Sequence, residues 1–497
     1  MRGLTISRRK AVKIEVARSA METQRPSRSS IATVAFELGG KIVGGGFSSA
    51  FAEMQRAQWL TTEELQARTD ARLRELLKHA AENVPFYSRE YKRLGLAPDE
   101  LRKAKELTVL PVLAKSDYRE RKPEEFYATN IPEYRRLEKA TSGSTGEPFQ
   151  FCLDRRAMPI VFASHLFYDS WHGLRPFDRY VRIAASPPTP PSLASHTPAA
   201  FRLRQVITNG LQSLYERWTQ ERISVWEVDA DQALSIWRRI EAFRPKFVMG
   251  YTSSLATIAD ELLRRNLLLS RPVHRVVTIA ETLSPTRRRL MDEYFGAPII
   301  NRYGLREFGS WSAQSCSESP DRFHINTELV VCEVLRPDGT PCAAGETGRV
   351  VLTDLNNFAR PFIRYDTGDL AAAVSEKCPC GRGFPLLGPI EGRSLDCLRT
   401  PSGAEISPAV LGHFLFVYHN HLEVVRHYQL VQETANRVNL LIVPDDGWDE
   451  QRRVRLQSDL KQLMQDEMEV DVQTVLEIPP EKSGKRPIIK KAFPTGQ

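Results

Sequence analysis

A short stretch of hydroxyl and glycine residues is the first place where this sequence indicates chemistry. It reads TSGSTGEPF and spans residues 141–149. Glycines permit tight turns, and the N–H groups of such a turn can converge on an anion. This hydroxyl-rich loop therefore predicts a phosphate site, although a plain surface turn is an equal alternative, and no Lys-Ser or Lys-Thr follows to make it a Walker loop. The residues that would contact phosphate are Ser142, Gly143, Ser144, Thr145 and Gly146.

Three cysteines and one histidine form a second candidate site. Cys316 and His324 make one pair, and Cys378 and Cys380 follow as another. Thiolate and imidazole ligands in two pairs suit tetrahedral Zn²⁺, which would be structural because no position stays open. Two unconnected loops with free thiols are the alternative. Seven cysteines in 497 residues show no disulfide framework, so we expect a reducing, cytoplasmic location.

The segments that must position these residues alternate between apolar runs and helical patterns. Residues 247–251 and 275–280 are short apolar runs that each precede a helical stretch, an order typical of a parallel α/β body. Residues 328–335 and 348–355 flank a Pro-Asp-Gly turn and predict an antiparallel hairpin. We therefore predict an α/β fold with a large, multi-subdomain N-terminal body of mixed and parallel sheets and helices.

The composition of the chain changes near residue 393. We predict a large domain at 56–392, a small mobile α+β domain at 393–497, and a basic N-terminal extension at 1–55 that is either disordered or a transit peptide. The net charge of +8 is concentrated in this extension, so it does not indicate nucleic-acid binding. No apolar run reaches the ~20 residues that span a bilayer.

Four further motifs follow the hydroxyl-rich loop in a fixed order. They read NRYGLREFG at 301–309, RYDTGDL at 364–370, GRSLD at 392–396 and EKSGKRP at 481–487. With the loop, the series resembles the adenylate-forming (AMP-binding) enzymes that activate carboxylic acids with ATP. Within them it is most similar to the phenylacetate–CoA ligase-like branch, which includes capsular polysaccharide biosynthesis proteins. The resemblance covers roughly residues 60–495.

This resemblance implies roles for residues of a nucleotide site. The hydroxyl-rich loop would wrap the β- and γ-phosphates of ATP. Tyr303, followed by Gly304, would place its ring over adenine, and Glu307 would be a catalytic carboxylate that holds Mg²⁺. Asp369 would accept hydrogen bonds from the ribose diol. Arg393 would contact ribose or phosphate.

The remaining implied residues surround the reacting carboxylate. Lys485 matches the catalytic, mobile lysine that bridges the carboxylate and the α-phosphate. Ala280, Glu281 and Thr282 match a loop beside the adenine or acyl pocket, with a buried structural role for Glu281 as a close alternative. Tyr251 is expected at the acyl pocket.

Three positions depart from the pattern of the resembling family. Arg306 stands where a small hydroxyl residue is usual, so it either favours an anionic substrate or points away from the site. Leu395 stands where the hinge acid is expected, with Asp396 next to it, which questions the standard domain rotation. Phe149 replaces a lysine or a hydroxyl residue.

The implied function is ATP-dependent activation of a carboxylic acid to an acyl-adenylate, followed by transfer to coenzyme A. The expected cofactors are ATP, Mg²⁺, coenzyme A and structural Zn²⁺, and the expected partners are the acid and the nucleotide, with a homodimer left open. Two alternatives remain. One is adenylation with acyl or adenylyl transfer to a non-CoA acceptor in polysaccharide or secondary metabolism. The other is a non-catalytic nucleotide-binding relative.

Overall fold

The fold was analysed in a computed structural model of the chain. It describes the following residues: 46–140, 149–175, 177–184, 206, 210, 213–224, 230–393, 398–402, 405–406, 411, 424–464, 466–479 and 487–492. Among the helices in these ranges, none combines the length and the apolar character that crossing a membrane requires.

The helices form where apolar spacing and capping residues favour them. Thr61 caps the second helix: its hydroxyl accepts from the Glu64 N–H, and the Glu64 carboxylate accepts from the Thr61 N–H, which satisfies two otherwise unpaired donors. The main helices are Phe47–Ala57 (α1), Thr62–Asn83 (α2), Pro85–Leu94 (α3), Lys115–Glu120 (α4), Met158–Ser170 (α5), Ala230–Phe243 (α6), Thr252–Arg264 (α7), Pro285–Phe295 (α8) and Glu450–Leu463 (α9).

A small hairpin and one 11-stranded sheet carry the strands of the large body, which comprises α1–α8 and β1–β13. The strand order of the large sheet is β10-β11-β12-β13-β9-β8-β7-β6-β5-β3-β4, and β1 pairs with β2. The strands are Arg136–Ala140 (β1), Gln150–Asp154 (β2), Tyr180–Ile183 (β3), Gln220–Ile223 (β4), Phe247–Tyr251 (β5), Arg275–Ile279 (β6), Ile299–Tyr303 (β7), Ala313–Cys316 (β8), Ser319–Ile325 (β9), Val330–Leu335 (β10), Thr347–Asp354 (β11), Tyr365–Ala373 (β12) and Leu386–Arg393 (β13).

The parallel half of the sheet brings three candidate segments to one edge. Strands β5, β6 and β7 are parallel neighbours, so the residues at their carboxyl ends share an edge. Those residues are Tyr251, Ala280 and Tyr303. Ligands bind outside the carboxyl ends of strands in open α/β sheets, and the predicted strand–helix order is confirmed here.

The antiparallel half begins at β7, which pairs with β6 on one side and antiparallel to β8 on the other. The predicted hairpin is confirmed, because Val330 pairs with Asp354 and Leu335 with Arg349. Strand β12 follows β11 and carries Asp369 into the middle of this half.

A separate sheet forms the C-terminal unit, which comprises β14–β19 and α9. Its strand order is β18-β17-β16-β19, and its apolar core is distinct from those of the body. The predicted α+β character is confirmed. The strands are Leu398–Arg399 (β14), Glu405–Ile406 (β15), Val425–Thr434 (β16), Arg437–Pro444 (β17), Glu469–Thr474 (β18) and Ile489–Lys491 (β19).

The described body starts earlier than the sequence predicted. Helix α1 begins inside the stretch assigned to the N-terminal extension, and it buries Phe47 and Met54. Phe51 packs against the same core. These three residues are spaced i, i+4, i+7, an amphipathic signal that the neighbouring glycines and serines obscured. At the other boundary, β13 keeps Arg393 within the large sheet.

Candidate functional site

Two of the sequence motifs meet through one short hydrogen bond. The hydroxyl of Tyr303, at the end of β7, donates to Oδ2 of Asp369 on β12 at 2.7 Å. Burial raises the pKa of Tyr303 well above its usual value, and the charge of Asp369 raises it further. The phenol therefore stays protonated, and it orients a carboxylate that is itself buried.

The turn before Asp369 places its backbone. Gly368 has a φ of +75°, a conformation that favours glycine. The hydroxyl of Thr367 accepts from the Asp369 N–H at 3.0 Å, while the Asp366 carboxylate accepts from the Gly368 N–H at 2.9 Å. The local sequence Asp-Thr-Gly-Asp thus builds the corner, and the sheet brings Tyr303 to it.

A buried carboxylate lies beside the first residue of β12. Glu307 is 6% exposed, and its Oε1 is 3.4 Å from Lys115 Nζ and 3.3 Å from the Tyr365 hydroxyl. Both of these contacts use Oε1. A carboxylate oriented in this way suits a hard cation such as Mg²⁺.

Lys115 is a residue that sequence reasoning missed. Its ammonium lies 5.1 Å from the ring centroid of Phe149, so it stands between the end of the hydroxyl-rich loop and Glu307. The bridge between Leu113 and Tyr365 holds the start of α4 beside β12. The stretch around Lys115 supported the family resemblance, but nothing in its local pattern marked the lysine itself.

Several predicted residues lie outside what the structure describes. These are Ser142, Gly143, Ser144, Thr145 and Gly146 of the hydroxyl-rich loop, and the mobile Lys485. Arg393 is described by its backbone: it pairs directly with Asp369 in the β12–β13 register.

The loop after β6 has a structural task. The Glu281 carboxylate accepts from the Ser253 N–H at 2.6 Å and from its hydroxyl at 3.0 Å. Ser253 is in the first turn of α7, so the charge lies at a helix N-terminus. This is the structural alternative for Glu281. Ala280 has a φ of +65°, unusual for a residue with a Cβ, and Thr282 follows on the same loop.

Aromatic side chains cluster near the carboxyl end of β5. Tyr251 packs in an apolar cluster with Trp311, and the Trp311 ring lies 5.8 Å from that of His165 on α5. Burial, followed by the charge of Arg302, lowers the pKa of His165 to about 3. A neutral imidazole and two aromatic rings suit an uncharged part of a substrate.

Gly304 is required by the packing of its own loop. A Cβ at this position would lie 2.8 Å from the Ser310 carbonyl oxygen and 3.0 Å from Trp311 Cε3. Any side chain would have to displace the Ser310 backbone or Trp311, so glycine is needed whether or not a nucleotide touches it.

The four metal-ligand candidates come together. The ligand atoms of Cys316, His324, Cys378 and Cys380 all lie within 4.8 Å of one another. The Cys316 and Cys378 sulfurs are 3.6 Å apart, and Cys380 Sγ is 3.5 Å from His324 Nε2. Two sulfurs bound ~2.3 Å from one tetrahedral zinc lie roughly 3.8 Å apart, so the donor set fits that ion. The alternative, in which these residues lie on two unconnected loops, is therefore wrong.

Comparison with known proteins shows which family the chain belongs to. A phenylacetate-coenzyme A ligase of Thermus thermophilus is 30% identical over 375 residues, which are 75% of this chain and 79% of that protein. The chain belongs to the phenylacetate–coenzyme A ligase family. The CapK C-terminal domain family matches residues 398–492. Protein CapK of Staphylococcus aureus is 20% identical over 48% of this chain and 49% of its own length.

Solved structures share the fold of this phenylacetate–CoA ligase family member. A 2-hydroxyisobutyryl-CoA ligase in its postadenylation state with 2-HIB-AMP matches with a TM-score of 0.71 at 19% identity, covering 88% of this chain and 91% of that one. The same ligase in its thioesterification state, with 2-HIB-AMP and CoA, matches with a TM-score of 0.57 at 20% identity, covering 88% and 92%.

Proposed function

We propose that this chain uses ATP to activate a carboxylic acid as an acyl-adenylate and then transfers the acyl group to coenzyme A. Family membership supports the reaction class. The hydrogen bond between Tyr303 and Asp369 carries the proposal for this chain, because it joins motifs 66 residues apart into one surface with an aromatic ring and a carboxylate. Adenosine offers a base to stack and a diol to bind.

The proposed roles follow from the chemistry of each group. Asp369 accepts from the ribose diol, with Arg393 beside it, and Tyr303 stacks on adenine. Glu307 is the ligand for Mg²⁺, which supplies positive charge to the phosphates. Lys115 adds a second cation on the same side.

Two predicted groups complete the proposed reaction. The hydroxyl-rich loop would hold the β- and γ-phosphates through backbone N–H groups. Lys485 would lie between the substrate carboxylate and the α-phosphate, where a compact ammonium reduces the repulsion between two anions. The carboxylate oxygen attacks the α-phosphorus, and pyrophosphate leaves. We propose a large domain that runs from the start of α1 through Arg393, a small C-terminal domain after it, and a cytoplasmic location.

We also propose that the cysteine–histidine cluster binds Zn²⁺. Its members come from β8, β9 and the segment between β12 and β13, so the ion would tie the strand that follows Tyr303 to the strands that carry Asp369 and Arg393. With four protein ligands it would be structural.

The test is a screen of pyrophosphate release across carboxylic acids, with and without coenzyme A. We expect acid-dependent release, and an acyl-CoA product by mass spectrometry. Lys485→Ala should abolish release while ATP still binds, and Lys490→Ala, an exposed lysine of the same C-terminal unit, should leave it unchanged. Normal release by Lys485→Ala would contradict the role of that lysine.

The same screen separates the alternatives. Acyl-adenylate formation without any acyl-CoA would favour a non-CoA acceptor, which amine and hydroxyl acceptors would then identify. ATP binding without release for every acid would indicate a non-catalytic relative.

A further inference from the structure

A buried carboxylate joins the large body to the C-terminal unit. Asp260, on α7, is 5% exposed. Its Oδ2 is 2.8 Å from Arg264 of the same helix and 3.3 Å from His427 Nε2, and its Oδ1 is 3.6 Å from Arg426 Nε. Two of its three cationic or protonatable neighbours therefore belong to strand β16.

Strand β16 connects this contact to the segment that carries the catalytic lysine. The Gln429 amide donates to the carbonyl oxygen of Pro487 at 2.9 Å, and Pro487 is two residues after Lys485. Leu430 pairs in parallel with Ile489 of β19. The strand that contacts Asp260 is thus bonded directly to the chain that follows Lys485.

Helix α7 leads from Asp260 to the candidate site. Its first turn is held by the Glu281 carboxylate at Ser253, beside the loop after β6. Arg287 is 4.0 Å from Glu281. Its charge lowers the pKa of Tyr428 on β16, although burial dominates and raises that pKa. The helix that carries Asp260 is therefore held at its first turn by the site loop.

The arrangement of the two units resembles that of one solved ligase in its postadenylation state. One solved ligase matches this chain better in its postadenylation state than in its thioesterification state, with TM-scores of 0.71 and 0.57. Both matches cover 88% of this chain, so the difference reflects arrangement rather than the parts included.

We propose that Asp260 is a positioning residue for adenylation: it holds β16 through Arg426 and His427, and so keeps the Lys485 segment over the nucleotide. It must release both side chains before acyl transfer. This rests on the proposed function, with Lys485 acting in the first step and the C-terminal unit moving between steps.

The ion contacts are suited to a reversible hold. Burial would raise the pKa of Asp260, but His427 and Arg264 bring that pKa below its usual value, so the carboxylate stays charged. On release it keeps Arg264 as a partner within its own helix. Arg426 keeps Asp445, 3.4 Å away. Neither the Asp260 carboxylate nor the Arg426 guanidinium is left buried without a partner, an arrangement that would be strongly destabilising.

The first experiment measures domain arrangement without requiring activity. Spin labels carried by non-natural amino acids at two exposed positions, Leu268 in the body and Val454 on α9, report the distance between the units by electron–electron double resonance with ATP and Mg²⁺ present. We expect one dominant distance for the native sequence and a broader or shifted distribution for Asp260→Asn. An unchanged distribution in Asp260→Asn would overturn the proposal.

The second experiment separates the two half-reactions, with the acid found by the screen. Asp260→Asn should lower the rate of acid-dependent ATP–pyrophosphate exchange roughly tenfold, a usual coupling, with KM for ATP unchanged. Transfer from pre-formed acyl-adenylate to coenzyme A should stay within about twofold. Asp260→Glu should recover part of the exchange rate. An equal loss in both half-reactions would indicate a merely structural role and refute the proposal.

An alternative variant and a control variant complete the test. If Asp260→Asn does not fold, the paired substitution Arg426→Gln and His427→Gln removes the same contact from more exposed side chains and should give the same split. Arg265→Gln is the matched control, because Arg265 pairs with Glu261 on the same helix and should change neither measurement. A distance change in Asp260→Asn, with no turnover by the native protein for any acid, would refute the proposed function and would show only that Asp260 holds the two units together.

Discussion

Removing a single oxygen atom tests the nucleotide site most directly. Tyr303→Phe keeps the ring that would stack on adenine and deletes only the hydroxyl that donates to Asp369 at 2.7 Å. Buried hydrogen bonds to charged groups contribute about 1.5–3 kcal/mol. Since each 1.4 kcal/mol is tenfold, losing the whole bond would weaken ribose binding by roughly 10- to 150-fold. Water can replace part of this hydrogen bond, so we expect ribose binding to weaken by a factor near the lower end of that range.

The assay is ATP–pyrophosphate exchange at saturating acid with ATP varied. KM for ATP should rise about tenfold with kcat little changed, because the hydroxyl orients the ribose acceptor and does not touch the reacting atoms. In the native protein, KM for ATP should be flat from pH 7 to 9, since the raised pKa of Tyr303 keeps its proton in place throughout.

A buried tyrosine elsewhere provides the control. Tyr294 is 5% exposed, and no partner for its hydroxyl exists among the described residues. Tyr294→Phe removes the same atom without removing a hydrogen bond, so KM for ATP should stay the same. If Tyr303→Phe also leaves KM within twofold, or lowers kcat with KM constant, the argument that Asp369 is a ribose acceptor oriented by Tyr303 is refuted.

Three more outcomes are expected. Lys115→Met should raise KM for ATP roughly tenfold but leave AMP affinity, measured by calorimetry, within about twofold, because a cation at the β- and γ-phosphates is lost. Burial raises the pKa of Asp354 to about 7. This carboxyl ionises at a lower pH in the unfolded chain than in the folded protein, so the free energy of unfolding should fall as the pH rises from about 4 to 7. In urea unfolding, Asp354→Asn should therefore be more stable than the native protein at pH 8, by at most about 4 kcal/mol, but not at pH 4. Cys380→Ser should lose bound zinc by elemental analysis and lower Tm, whereas Cys342→Ser should do neither.

Much of the fold was predictable because local patterns carried it. The β10–β11 hairpin followed from a turn flanked by two apolar runs, and β5 and β6 followed from short apolar runs that each precede a helical stretch. Helix α1 was missed because its three large apolar residues are diluted by small ones. Its burial depends on a core supplied by distant residues.

The candidate site was likewise predictable only in part. Sequence alone named Tyr303, Glu307 and Asp369, because the motifs that contain them resemble those of the adenylate-forming enzymes. It could not show that the Tyr303 hydroxyl is the donor that orients Asp369, nor that Lys115 lies beside Glu307, because these contacts join strands and helices that are far apart in the chain.

Residue type and order therefore determined which chemistry this protein could perform, since a charge, a glycine turn or a thiol is a local property. Tertiary structure decided which of those groups act together. It turned Glu281 toward the start of α7, gathered the four metal-ligand candidates, and placed Asp260 against β16. The reason is physical: distance and burial set the strength of each interaction, and both are properties of the folded chain.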